Sequence, residues 1–121
     1  MSIEECYQEM GGSYADVSTR LPSPSLVQRF VCKFPEDKSF EALADAMESG
    51  SRDDAFRAAH TLKGVCANLS FSRLLHSASA LTEILRPESP AIPESAFALM
   101  EQVRSDYQLT TDAIRRYMAE A

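Results

Sequence analysis

The chain has 121 residues, 45% of them hydrophobic and 25% charged, with a formal net charge of −6. That length is one domain's worth, able to bury about two-thirds of the surface its unfolded chain exposes without help from a metal or a disulfide. The composition excludes disordered and fibrous classes, and the acidity excludes nucleic acid as a main partner, since a phosphate backbone needs a basic face.

Breakers at Gly11-Gly12, Pro22 to Pro24, Pro35 and Pro87 to Pro93 divide the chain. Between them apolar residues recur at spacings of three and four, the helical period, and no useful stretch alternates with period two. Ile3 to Met10 reads as a short helix ended by Gly11-Gly12, and Tyr14 to Leu21 as a second short helix or turn ended by Pro22. Ser23 or Ser25 can cap a third helix, with Leu26, Val27, Phe30, Val31 and Phe34 on one face, closed by Pro35. Asp37 then caps a helix that turns Phe40, Leu43, Ala44 and Met47 inward and stops at Gly50. Ser51 opens the next helix, with Asp53 and Asp54 in its first turn, running to about Leu69.

A break near Ser70 leads into Ser72 to Arg86, striped by Leu74, Leu75, Ala78, Leu81, Thr82 and Leu85. The last helix spans about Glu94 to Met118 with Phe97, Met100, Val103, Tyr107, Thr110, Ile114 and Tyr117 inward. These elements predict an all-α fold, an antiparallel four-helix bundle with short N-terminal cap helices. Residues 1–36 would form the cap and 37–121 the bundle, in a single structural domain.

Three cysteines, Cys6, Cys32 and Cys66, with no C-x-x-C pair, give neither a disulfide framework nor a zinc site. Cys66 lies in an apolar stretch and is expected as a small buried hydrophobe. Met1 to Met10 is acidic and lacks an apolar run, so no secretory signal is expected. No stretch nears the roughly 18 apolar residues of a membrane span. A monomeric cytoplasmic protein, with no membrane association, is the resulting expectation.

The stretch Ala58 to Leu69 carries the chemistry. At about 100° per residue, with His60 at zero, Lys63 falls near −60°, Gly64 near +40° and Ala67 near −20°. Leu62, Val65, Cys66 and Leu69 fall on the other side. The helix therefore buries one face and shows water a face of His60, Lys63, Gly64 and Ala67. Glycine inside a helix costs about 1 kcal/mol against alanine. A solvent face has no packing reason to choose it, whereas close approach by another molecule is such a reason. Lys63, one turn on, puts an ammonium within reach of an anion attached to His60. Phe56, one turn back, would add an apolar rim.

A neutral imidazole nitrogen is a competent nucleophile near pH 7. A phosphoryl group on it would be a dianion, partly neutralised by one exposed lysine without being locked in place. No magnesium ligands or nucleotide loop are recognisable, so no cofactor or metal is expected and a partner must bring them.

The H-x-x-K-G pattern at His60, Lys63 and Gly64, preceded by Ala58-Ala59 and followed by Ala67-Asn68-Leu69, resembles the histidine phosphotransfer (HPt) family of two-component phosphorelays. The likeness extends more loosely from about Phe40 to Arg86. The resemblance implies that His60 is phosphorylated, that Lys63 stabilises the phosphoryl group and that Gly64 lets a receiver domain approach. It implies partner contacts at Phe56, Ala67 and Asn68, and a polar residue on the following helix that orients the imidazole. An ungapped count places that residue at Thr82, with Glu83 and Arg86 as neighbours.

One departure stands out: Ser70 occupies a position where the family often has a second glycine, and serine can make the same turn. The implied partners are a response-regulator receiver domain, a histidine kinase, or both, and the implied role is a phosphocarrier rather than an enzyme. The alternative is a non-phosphorylated helical adaptor that binds signalling partners through the same face. His76 reads as structural or as a surface residue, and Cys66 points away from His60, which argues against a His60–Cys66–His76 metal site.

Overall fold

Short polar side chains open most of the helices. Ser2 and Glu5 form a reciprocal capping box at the start of α1 (Ile3–Met10). Ser13 accepts the Asp16 amide at the head of α2 (Tyr14–Arg20). Ser23 caps α3 (Pro24–Lys33), whose first position is Pro24, where a missing N–H costs nothing. Pro35 sits in a 3-10 turn at Phe34–Glu36. The N-cap position of α4 (Ser39–Ser49) is Lys38 and not Asp37 as expected; Asp37, one residue earlier, accepts the Ser39 amide at 2.9 Å. Ser51 caps α5 (Arg52–Leu69). The helices α6 (Ser72–Ile84) and α7 (Ser95–Glu120) complete the chain. This computed structural model describes residues 1–120; Ala121, the last residue of the expected bundle segment, lies outside the described residues.

The fold is all-α, and among the described residues there is no strand. Helices α4 to α7 form the antiparallel bundle, each packed on the next. Its interior is filled by side chains such as Leu43, Leu62, Cys66, Leu74, Leu81 and Ile114, all buried. An aromatic seam closes one end. Tyr7 meets Phe71, Phe71 meets Phe34 edge-on at 5.0 Å, and Phe34 meets Tyr107. Tyr107 in turn stacks on Phe40 at 4.0 Å and 6°, which brings α7 onto α4. Burial pushes the Cys6 thiol up to about 11 and the Cys66 thiol up to about 12, so both are inert at neutral pH.

Two phenylalanines expected in helix stripes are exposed instead: Phe30 is 46% accessible and Phe97 is 50%. On α7 the buried face is centred on Val103, and Phe97 falls about 120° from it. On α3 the mid-line runs between Val27 and Val31, and Phe30 falls about 80° off it. Spacings of three and four accept both residues locally, but the accumulated rotation does not.

The N-terminal helices clamp the end of α5. Ser70 ends that helix in the left-handed region at φ 57°, the one non-glycine residue with positive φ among the described residues. An L-residue pays about 1 kcal/mol or more for that conformation. Contacts from α1 and α2 offset the cost. The Tyr7 hydroxyl donates to the Leu69 carbonyl at 2.7 Å, and the Ser13 amide donates to the Ser70 carbonyl at 2.9 Å. The Arg20 guanidinium donates to the Ala67 carbonyl at 3.0 Å, to the Asn68 carbonyl at 3.3 Å and to the Ser70 hydroxyl. The Ser70 hydroxyl donates to Asp16 at 2.6 Å. The last carbonyls of α5 thus find partners from a segment more than forty residues away.

The hydrogen bond from Ser70, and then that from Arg20, hold the Asp16 carboxyl below its ordinary range. A carboxyl whose pKa is lower in the folded chain adds stability above the unfolded value, about 4, and loses it as pH falls through the folded value. Asp16→Asn should therefore lower the thermal midpoint at pH 6. Melts repeated down to pH 2.5 should show the gap to wild type closing below about pH 4. A gap that stays constant with pH would remove the carboxylate from this account.

Candidate functional site

Helix α5 divides cleanly into two faces. Ala55, Ala59, Leu62, Cys66 and Leu69 are buried, at spacings of four, three, four and three. His60, Gly64, Ala67 and Asn68 are exposed on the other side, with Lys63 and Phe56 partly covered. Asp53 and Asp54 occupy the first turn, where negative charge suits the helix dipole, and both pair with Arg57. Nothing lies within 4 Å of where a Cβ on Gly64 would stand. The glycine serves no helix–helix contact, which leaves open access around His60 as its physical consequence.

Among the described residues, no side chain hydrogen-bonds the His60 imidazole, and its ring is exposed. The nearest aromatic is Phe56, with ring centroids 6.1 Å apart at 47°. From just beyond the end of α6, the Arg86 guanidinium lies 5.8 Å from the centre of the Phe56 ring, on the side of α5 that carries Lys63. Arg86 holds Glu83 through two hydrogen bonds, Nε to one carboxylate oxygen at 3.0 Å and an Nη to the other at 2.9 Å. The Arg86 hydrogen bonds hold the Glu83 carboxyl below its usual range, followed by the charge of Arg86, with Lys63 contributing as well. Lys63 and Arg86 thus both bear on the Glu83 carboxylate, with Arg86 set against Phe56, one turn before His60.

Thr82 requires a correction. It was expected to orient the imidazole or meet a partner, but it is fully buried and its hydroxyl donates to the Ala78 carbonyl at 2.7 Å. The residue sits on the core side of α6, where neither task is possible. Its exposed neighbours Glu83 and Arg86 face the site instead. A positional count along the chain finds the right turn of α6 but misses its rotation, which differs by about 100° per residue.

Among the described residues, no group of three or more His, Cys, Asp or Glu could hold a metal ion. His76 is exposed on α6, and Cys66 is buried on the far side of α5, so the two do not converge with His60. No helix among the described residues is long and apolar enough to cross a membrane.

An exposed histidine on a helix, a lysine one turn on and an uncovered glycine beside it form an open surface on the bundle rather than an enclosed pocket. Residues 25–116, about three-quarters of the chain, match the family model described as the Hpt domain. The chain belongs to the Hpt domain family, whose members have a phosphotransfer role in two-component signalling and interact with receiver domains and histidine kinases. Comparison with curated proteins and with solved structures gives no match.

Proposed function

We propose that this protein carries a phosphoryl group on His60, passing it to or from the aspartate of a receiver domain or taking it from a histidine kinase. The observation that carries the reading is the exposed, unbonded imidazole next to Gly64, whose missing side chain leaves the approach open. A lone pair on an imidazole nitrogen attacks the phosphorus of an aspartyl phosphate. The N–P bond forms as the P–O bond to the carboxyl breaks, and the carboxylate leaves with the electron pair. The phosphoimidazolium then releases its ring proton to water. The reverse passes the group on.

Lys63 offsets part of the dianion's charge, and Arg86 can add to it once a dianion competes with Glu83 for the guanidinium. Phe56, Ala67 and Asn68 form the rim that a partner meets. The magnesium and the acidic pocket belong to the partner, so the protein is a carrier rather than an independent catalyst. In the same reading the protein works in the cytoplasm as a monomer. Residues 1–36 act as a cap on a bundle beginning at residue 37, and cap and bundle unfold together because the clamp at Ser70 joins them.

The test is labelling by a small-molecule phosphodonor. Wild type should acquire an acid-labile, base-stable adduct, and His60→Gln should acquire none while keeping its helical signal. A folded wild type that takes no label would favour a non-phosphorylated adaptor using the same face. Lys63→Ala should shorten the half-life of the adduct or slow its discharge to a receiver by about tenfold, the value of one charge-assisted contact. Unchanged kinetics in both measurements would remove Lys63 from the site.

A further inference from the structure

The joint between the end of α6 and the start of α5 holds a positive charge that nothing neutralises. Arg52 is buried there. One Nη donates to the Ser89 hydroxyl at 3.1 Å, and the other bonds of the guanidinium go to backbone carbonyls. A cation taken out of water and given only neutral acceptors keeps much of its desolvation cost. Two carboxylates border the recess of about 530 Å³ beside it. Asp53 is taken by Arg57, and Glu88 makes no ion pair with Arg52 among the described residues.

Ser89 is within reach of another protein. It lies in an irregular segment, Arg86 to Ala91, every residue of which is exposed. Pro87 and Pro90 on either side keep that segment out of a helix. A kinase can therefore draw the serine into its own cleft without unwinding a helix. Among the described residues one other serine hydroxyl meets an arginine. That is Ser70, which is buried, and its Arg20 already holds Asp16. An accessible hydroxyl set on an unneutralised guanidinium thus occurs once.

We propose that Ser89 is a phosphorylation site and that Arg52 receives its phosphoryl group. The inference does not depend on the role of His60. A serine kinase supplies ATP as the donor. The Ser89 oxygen attacks the γ-phosphorus, and the new O–P bond forms as the bond to the bridging oxygen of ADP breaks. ADP leaves with the electron pair, and the hydroxyl proton passes to the base of the kinase. The product sets a charge of about −1.5 to −2 and three acceptor oxygens beside the guanidinium. Charge-assisted bonds then replace a neutral one. The Pro87–Pro93 loop becomes tied by an ion pair to the first residue of the helix that carries His60.

The test uses the full chain with phosphoserine installed at position 89 during translation. Followed against pH, its phosphorus resonance should titrate near pH 5, below the ordinary value of about 6. In Arg52→Met it should return to about 6. If that variant loses its helical signal, the phosphorylated chain in urea supplies the reference. The thermal midpoint at pH 7 should rise by about 5 °C over the unmodified chain. That gain should vanish as pH falls through the lowered value, because the folded state favours the dianion. Protein taken from its own cells should carry a phosphoester on Ser89 by mass spectrometry, stable in acid and lost in base, the reverse of a phosphohistidine. Titration at about 6 in the folded chain would overturn Arg52 as the receptor and the proposal with it. An unmodified Ser89 in protein from both growing and stationary cells would overturn the modification. Neither result bears on labelling of His60.

Discussion

Arg52→Met should lower stability by about 2–3 kcal/mol, and the thermal midpoint by about 10 °C for a domain of this size. Arg52 is the first residue of α5 and is buried, yet no carboxylate pairs with it. Its guanidinium instead donates to four acceptors at and beyond the end of α6. These are the carbonyls of Ile84 at 3.2 Å, Leu85 at 3.3 Å and Ala91 at 2.8 Å, and the Ser89 hydroxyl at 3.1 Å. A cation there satisfies the last carbonyls of α6, opposes the negative end of that helix and ties down the Pro87–Pro93 loop. Methionine keeps most of the stem and its packing, so the loss isolates the hydrogen bonds. Ser89 and Ala91 are exposed and can take water in exchange. The Leu85 carbonyl belongs to a buried residue and has less access to water, which sets the size of the effect. Thermal unfolding measures the total, and amide exchange over residues 84–92 should accelerate locally. A cost below about 0.5 kcal/mol would mean that the desolvation of the guanidinium cancels its bonds.

What the sequence disclosed about the site and what it withheld follow from the range of each interaction. His60, Lys63 and Gly64 were legible because one helix sets their relation, and a rotation of about 100° per residue is enough to place them. The bundle was legible for the same reason, from stripes closed by Ser51, Gly50 and the prolines. Thr82 was misplaced because its role depends on how α6 is turned against α5, which no count along the chain contains. The Glu83–Arg86 pair is local, at spacing three, but its bearing on Phe56 and Lys63 is not. Residues 1–21 were unreadable in purpose. The Tyr7 hydroxyl reaches the Leu69 carbonyl across 62 residues, and Arg20 reaches Ala67 across 47. The serine at position 70 was a hint, since a left-handed turn without glycine needs support, but the source of that support is written only in three dimensions.

Substitutions at Gly64 should move stability and function in opposite directions. Gly64→Ala and Gly64→Leu both place a better helix former in the interior of α5, where no neighbour stands within 4 Å of the new Cβ. Each should raise stability by up to about 1 kcal/mol, and the midpoint by a few degrees. Small phosphodonors should still label His60 in both variants, because a small molecule can approach past the added side chain. A receiver domain must bring the plane of its active site onto the helix surface. A leucine about 40° round from His60 and one turn on stands between the two. Transfer to the receiver should fall by about a hundredfold or more in Gly64→Leu and by much less in Gly64→Ala, since an added methyl costs about one contact and a leucine a whole side-chain depth. The graded loss matters because it separates bulk from fold. A stabilised variant that cannot transfer has not been damaged, only blocked. Rapid receiver transfer by Gly64→Leu would mean that the partner comes in from another side, and the cost of keeping glycine in mid-helix would lose its explanation.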